Sequence, residues 1–87
     1  MTFMTEFVQE YLNGERSRLE FDLDFIHYLI QNYPKMERED IELAGCFNFY
    51  LAEEGFDRAK GLSDAAHKML ITRQFDKFLS VMNDGLF

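Results

Sequence analysis

The sequence predicts an all-α fold, either a small four-helix bundle or a compact orthogonal helical array, and three observations carry that reading. Apolar residues recur at helical spacing in four successive segments. Beyond one short ambiguous stretch, no segment alternates apolar and polar residues for long enough to serve as a strand, and an unpaired strand would leave its backbone groups unsatisfied. Glycine or proline falls near the boundaries between the segments. The 87 residues suit a single helical domain spanning 1–87, because two cores in so short a chain would each be too small to stay folded.

In the first segment Phe3, Phe7 and Tyr11 form one i, i+4 ladder, and Met4, Val8 and Leu12 form the next. The spacing predicts a helix over residues 3–13, capped by Thr2 and stopped at Asn13-Gly14, where glycine accepts the left-handed conformation that closes a helix.

The second segment begins ambiguously, since Leu19, Phe21, Leu23 and Phe25 alternate with Glu20, Asp22 and Asp24. Ser17-x-x-Glu20 reads as a capping box and favours a helix. Its expected core stripe is Leu19, Leu23, Ile26, Ile30 and Tyr33, widened by Phe21, Phe25, Tyr28 and Leu29, which leaves Glu20, Asp24, His27 and Gln31 as the polar face. Asp22 falls inside the apolar arc, so a start at Asp22 stays open beside one at Ser17. Pro34 disfavours helical geometry at Tyr33 and places the helix end near residue 33.

A third helix is expected over residues 37–54, with Glu37, Glu39 and Asp40 near its positive end. Leu43, Phe47 and Tyr50 mark its core stripe, with Ile41, Cys46 and Leu51 at the margins. Ala44-Gly45 is expected to allow a close helix approach, and Gly55-Phe56 to form a Schellman stop. After a polar link, Ser63 caps a fourth helix whose stripe is Ile71, Phe75, Phe78 and Met82, joined by Leu79. Asn83-Asp84-Gly85 is expected to end it.

Nine basic against sixteen acidic residues give a net charge of −7, which argues against direct affinity for nucleic acid or anionic lipid. The charge is uneven: residues 1–57 hold four basic and thirteen acidic residues, a balance of −9, while residues 58–87 hold five and three, a balance of +2. No export signal or spanning stretch is visible and Cys46 has no second cysteine to pair with, so the expected location is cytoplasmic and no membrane partner is implied.

Chemistry finds little purchase. Asp24-x-x-His27 and Asp64-x-x-His67 each put a carboxylate and an imidazole on one helix face, which makes a metal or small-ligand binder an alternative reading. Cys46 sits inside an amphipathic helix, where a thiol packs rather than reacts. There is no phosphate loop, nucleophile elbow or zinc-ligand spacing, so neither enzyme activity nor a cofactor is expected. The cations of the last helix and its approach, Arg58, Lys60, Lys68, Arg73 and Lys77, do not share one face as a DNA-reading helix would require.

Two features point instead to proteins as partners. Acidic residues cluster at Glu37, Glu39, Asp40 and Glu42 and again at Glu53, Glu54 and Asp57, a pattern that attracts a basic partner and in the extreme imitates a phosphate backbone. Ten Phe and four Tyr are generous for a bundle this small, and the wide arc of the second helix, with Met69, Leu70, Val81, Leu86 and Phe87, offers apolar surface for a homodimer seam or a partner helix. The expected function is a non-enzymatic, acidic interaction or regulatory module that binds a basic protein or a second copy of itself.

Overall fold

The computed structural model describes residues 1–84, which fold into helices with no strand among them. Helix α1 spans Thr2–Leu12 and α2 spans Arg18–Glu39. Helix α3 is continuous but composite: Ile41–Phe47 is α-helical, Asn48–Phe56 is π-helical, and Asp57–Ala59 adds a last turn. Helix α4 spans Asp64–Asp84. The all-α expectation holds, while Gly85, Leu86 and Phe87, assigned above to the helix stop and an apolar patch, lie outside the described residues.

Helix α1 starts one residue early, with Met1 at its cap position and no side-chain cap. Thr2 is therefore inside the helix and does not cap it; its carbonyl accepts from the Thr5 hydroxyl at 2.9 Å. The predicted stop is a full Schellman motif: the Gly14 amide donates to Tyr11, the Glu15 amide donates to Glu10, and Gly14 carries a φ of 85°.

Ser17 is the cap of α2, in a reciprocal capping box with Glu20, which decides against a start at Asp22. The predicted end near residue 33 is wrong, because α2 runs through Pro34 to Glu39. Proline deletes the amide bond to the Ile30 carbonyl, yet burial of Met36 two residues further on holds the extra segment to the core. Glu37 and Glu39 consequently close α2 rather than open α3. The next helix starts at Ile41 instead, with the Asp40 carboxylate accepting from the Leu43 amide at 3.0 Å.

The larger correction is the rotation of α2. Phe21, Phe25, Leu29 and Met36 form its buried face, whereas the expected core residues Leu19, Leu23, Ile26 and Ile30 point outward. Both faces are apolar, so periodicity alone does not choose between them; complementarity with the other helices does. Phe21 stacks on Phe7 and Tyr11 of α1 with ring centroids 5.6 and 4.5 Å apart, and Phe25 lies 5.2 Å from Phe56 and 6.4 Å from Phe47 of α3. Each such aromatic pair contributes about 0.5–1.5 kcal/mol beyond its burial.

Gly55-Phe56 does not stop α3. The i→i+5 bonding of the π-helical stretch widens its turns, and Leu51, Ala52, Gly55 and Phe56 are all buried. A Cβ at Gly55 would meet the Tyr50 carbonyl oxygen at 2.9 Å and Ile71 Cδ1 at 3.3 Å, so this glycine admits the side chains of α4. Gly45, expected to serve that purpose, faces open space. The actual stop is a type II turn at Lys60-Gly61, with φ 81° at Gly61 and a 3.2 Å bond from the Leu62 amide to Ala59. Ser63 then caps α4 as predicted, accepting from the Ala66 amide at 3.2 Å, and Ile71, Phe75 and Phe78 are buried against α3. Of the expected α3 stripe, Leu43 and Phe47 are buried and Tyr50 is half-buried; Leu51, placed at the margin, is fully buried, and Ile41 is exposed.

Candidate functional site

Three regions carry chemistry or unusual surface. The first is a buried polar chain where α1, α2 and α4 meet. His67 is fully buried; its Nδ1 lies 2.6 Å from the Tyr11 hydroxyl and its Nε2 lies 3.2 Å from Asp22 Oδ1. A carboxylate only accepts, so Nε2 carries the proton of the neutral ring, and Nδ1 accepts from Tyr11. Asp22 in turn accepts from Arg18 Nε at 3.4 Å, and Arg18 reaches across to Asp64 at 2.9 Å and to the Leu62 carbonyl. Burial lowers the pKa of His67, the Asp22 charge opposes that shift, and the Arg18 charge adds to it. Burial likewise raises the Tyr11 pKa. The one hint of this network in the sequence was Asp22 lying within an apolar arc.

This arrangement separates the residues proposed above for a metal. His67 turns inward, with both nitrogens engaged by Tyr11 and Asp22, and Asp64 is held by Arg18 on the surface. His27 is exposed and packs on Tyr28, with ring centroids 5.6 Å apart. Among the described residues no group of three or more His, Cys, Asp or Glu side chains could hold an ion. Cys46 is half-buried and packs against the core.

The second region is an open groove of about 930 Å³ between the end of α1, the start of α2 and α4, lined by Tyr11, Arg16, Arg18, Lys68, Met69 and Arg73 among others. Lys68, Met69 and Arg73 of α4 all line it. Most of these cations are already matched: Arg16 lies over the Phe7 ring and bonds Glu10, Arg18 holds Asp22 and Asp64, and Lys68 lies over the Tyr11 ring. Met69 is exposed in this groove and Leu70 is half-buried against the core.

The predicted acidic residues do not gather into one free patch. Asp40 is spent as a helix cap, and Glu39 accepts from the Met1 amino group at 2.6 Å, which lowers its pKa. Glu53 accepts from Asn48 at 3.0 Å, Glu54 pairs with Arg58, and Asp57 lies 3.8 Å from Lys60. Glu37 and Glu42 are exposed on either side of the α2–α3 junction.

The third region is the outer face of α2. Leu19, Leu23, Ile26 and Ile30 retain 67, 69, 36 and 68% of their surface, all on one side of a capped helix. Their spacing of four, three and four residues is a heptad seam, with Leu23 and Ile30 at a and Leu19 and Ile26 at d. Beside Ile30, a hollow of about 420 Å³ is lined by Leu29, Ile30, Tyr33, Pro34 and Asn48. Isolated apolar side chains on a surface need no explanation, but these four form one contiguous exposed row.

No protein-family model matches the chain, and no curated protein or solved structure matches it either. No helix among the described residues is long and apolar enough to cross a membrane.

Proposed function

We propose that this protein is a non-enzymatic interaction module whose docking face is the aliphatic ridge of α2, and whose partner presents an amphipathic helix with an apolar seam. The observation that carries the proposal is the outward row of Leu19, Leu23, Ile26 and Ile30 on a helix already anchored by its aromatic face. Helix-in-groove and coiled-coil recognition read side chains at this spacing. The acidic residues singled out in the sequence are mostly matched within the fold and do not carry the reading.

The test is affinity capture from the source organism with the wild-type chain and with a Leu23→Lys/Ile30→Lys variant. Both side chains are exposed, so the variant keeps its helicity. The expected result is a protein, a second copy of the chain included, that the wild type retains and the variant loses. Capture that ignores the two substitutions, together with monomeric wild-type chain in light scattering, overturns the proposal.

A further inference from the structure

We infer that the helix seated on this ridge is α2 of a second copy, packed antiparallel about a twofold axis; the inference rests on the docking reading above and adds its occupant and direction.

A twofold interface needs a surface complementary to itself. Two antiparallel seams mesh when each a position meets a d position. Leu23 then faces the partner's Ile26, and Leu19 faces the partner's Ile30, so the four ridge residues of both copies are covered in one register. In that register each Leu19 arrives beside the other copy's 420 Å³ hollow at Ile30, Tyr33 and Pro34, which gives the knob at one end of the ridge a hole at the other.

Polar flanks select the direction. Glu20 and His27 lie seven residues apart on the same edge of the ridge, both at e, and antiparallel packing sets e beside e. The Glu20 carboxylate then accepts a hydrogen bond from the partner's His27, twice by symmetry. Glu20 Oε1 already accepts from the Ser17 amide, which leaves Oε2 for this contact. A parallel pair would align two helix dipoles and direct Asp22 at the partner's His27, whereas Asp22 is already held by His67 and Arg18.

Size sets the strength. A ridge of four half-exposed to exposed aliphatic side chains from each copy, with its flanks, covers on the order of 1,000 Å² in total, at the low end of specific interfaces. The dimer should accordingly form in the micromolar range and exchange rapidly.

Directed cross-linking of the full chain tests the arrangement. In a Cys46→Ser background, Leu19→Cys and Ile30→Cys chains, which lie far from the twofold axis and face each other only across it, are oxidised separately and as an equimolar mixture with oxidised glutathione. The mixed disulfide is expected to dominate, with little cross-linking in either chain alone, and sedimentation of the unmodified chain should show a concentration-dependent dimer that Leu23→Lys abolishes. Ile30→Lys serves as the second variant should Leu23→Lys lower helicity. Cross-linking of each chain with itself as readily as in the mixture overturns the antiparallel assignment. A monomer at every concentration overturns the second-copy inference; the docking reading then survives only if the ridge substitutions still remove a captured protein, and falls if they do not.

Discussion

Tyr11 and His67, 56 residues apart in the chain, are joined by a 2.6 Å hydrogen bond from the phenolic hydroxyl to Nδ1 of a fully buried imidazole. This contact ties α1 to α4, and the Nε2 contact to Asp22 ties both to α2. It also fixes the neutral tautomer. Protonation would place a hydrogen on Nδ1, force the Tyr11 hydroxyl to turn and accept, and leave its own hydrogen without this acceptor.

Stability should therefore fall on mild acidification. The His67 pKa is lowered in the folded state by burial, so the unfolded chain binds this proton more readily. The stabilisation is complete above about 6.5, the ordinary imidazole value, and is lost as pH falls through the depressed folded value. Glu20 and Glu39, lowered by the hydrogen bonds of their carboxylates, lose their contribution only at more acidic pH. Urea unfolding at pH near 7.5 and near 5.5 should show a lower midpoint at the acidic value. His67→Gln, whose amide can accept from Tyr11 and donate to Asp22, should remove most of that difference; an equal difference in the variant contradicts the assignment.

Tyr11→Phe isolates the other half of the contact. It keeps the ring that stacks on Phe21 and lies under Lys68 but removes the donor to Nδ1. Leaving a buried acceptor unsatisfied costs about 1–3 kcal/mol. The variant should unfold at lower urea, and the His67 titration followed by NMR should move upward, because the lost bond favoured the neutral ring. An unmoved titration would mean that Tyr11 does not set the tautomer.

The fold class, the Ser17 and Ser63 caps and the Gly14 stop were legible because each is local: a side chain bonds its own helix end, or a glycine adopts a positive φ. The facing of α2 was not local. Two apolar faces compete on that helix, and the choice depends on the rings of Phe7, Tyr11, Phe47 and Phe56 on other helices. The same limit hid the site, since spacing paired His67 with Asp64 on one helix while packing gave it Asp22 and Tyr11 from two others. Pro34 and Gly55 fail as stops because tertiary burial lies at or past each of them: Met36 is buried two residues after Pro34, and Gly55 and Phe56 are themselves buried inside α3.

Pro34→Ala probes that balance. Proline in a helix interior costs about 3 kcal/mol relative to alanine, and its ring leaves the Ile30 carbonyl without its amide donor. Pro34 is exposed, so alanine forfeits little packing. The variant should gain about 1–3 kcal/mol in urea unfolding with no loss of helicity. A destabilised variant would show that the proline ring supports α2 in a way that its exposure does not suggest.

Alanine at the two glycines of α3 should move stability in opposite directions. Gly45 lies in an α-helical turn with nothing within 4 Å of a new Cβ, so Gly45→Ala only restricts the unfolded chain and should stabilise by about 0.5–1 kcal/mol. At Gly55 the new Cβ would lie 2.9 Å from the Tyr50 carbonyl oxygen and 3.3 Å from Ile71 Cδ1. The first of these atoms belongs to the backbone of the same helix and the second to the buried face of α4, so the wall must shift at a cost of about 1–3 kcal/mol. Thermal or urea unfolding of the pair measures the contrast directly. If both variants were stabilised alike, α3 would be an ordinary α-helix through residue 55, and the close approach of α4 at that point would be wrong.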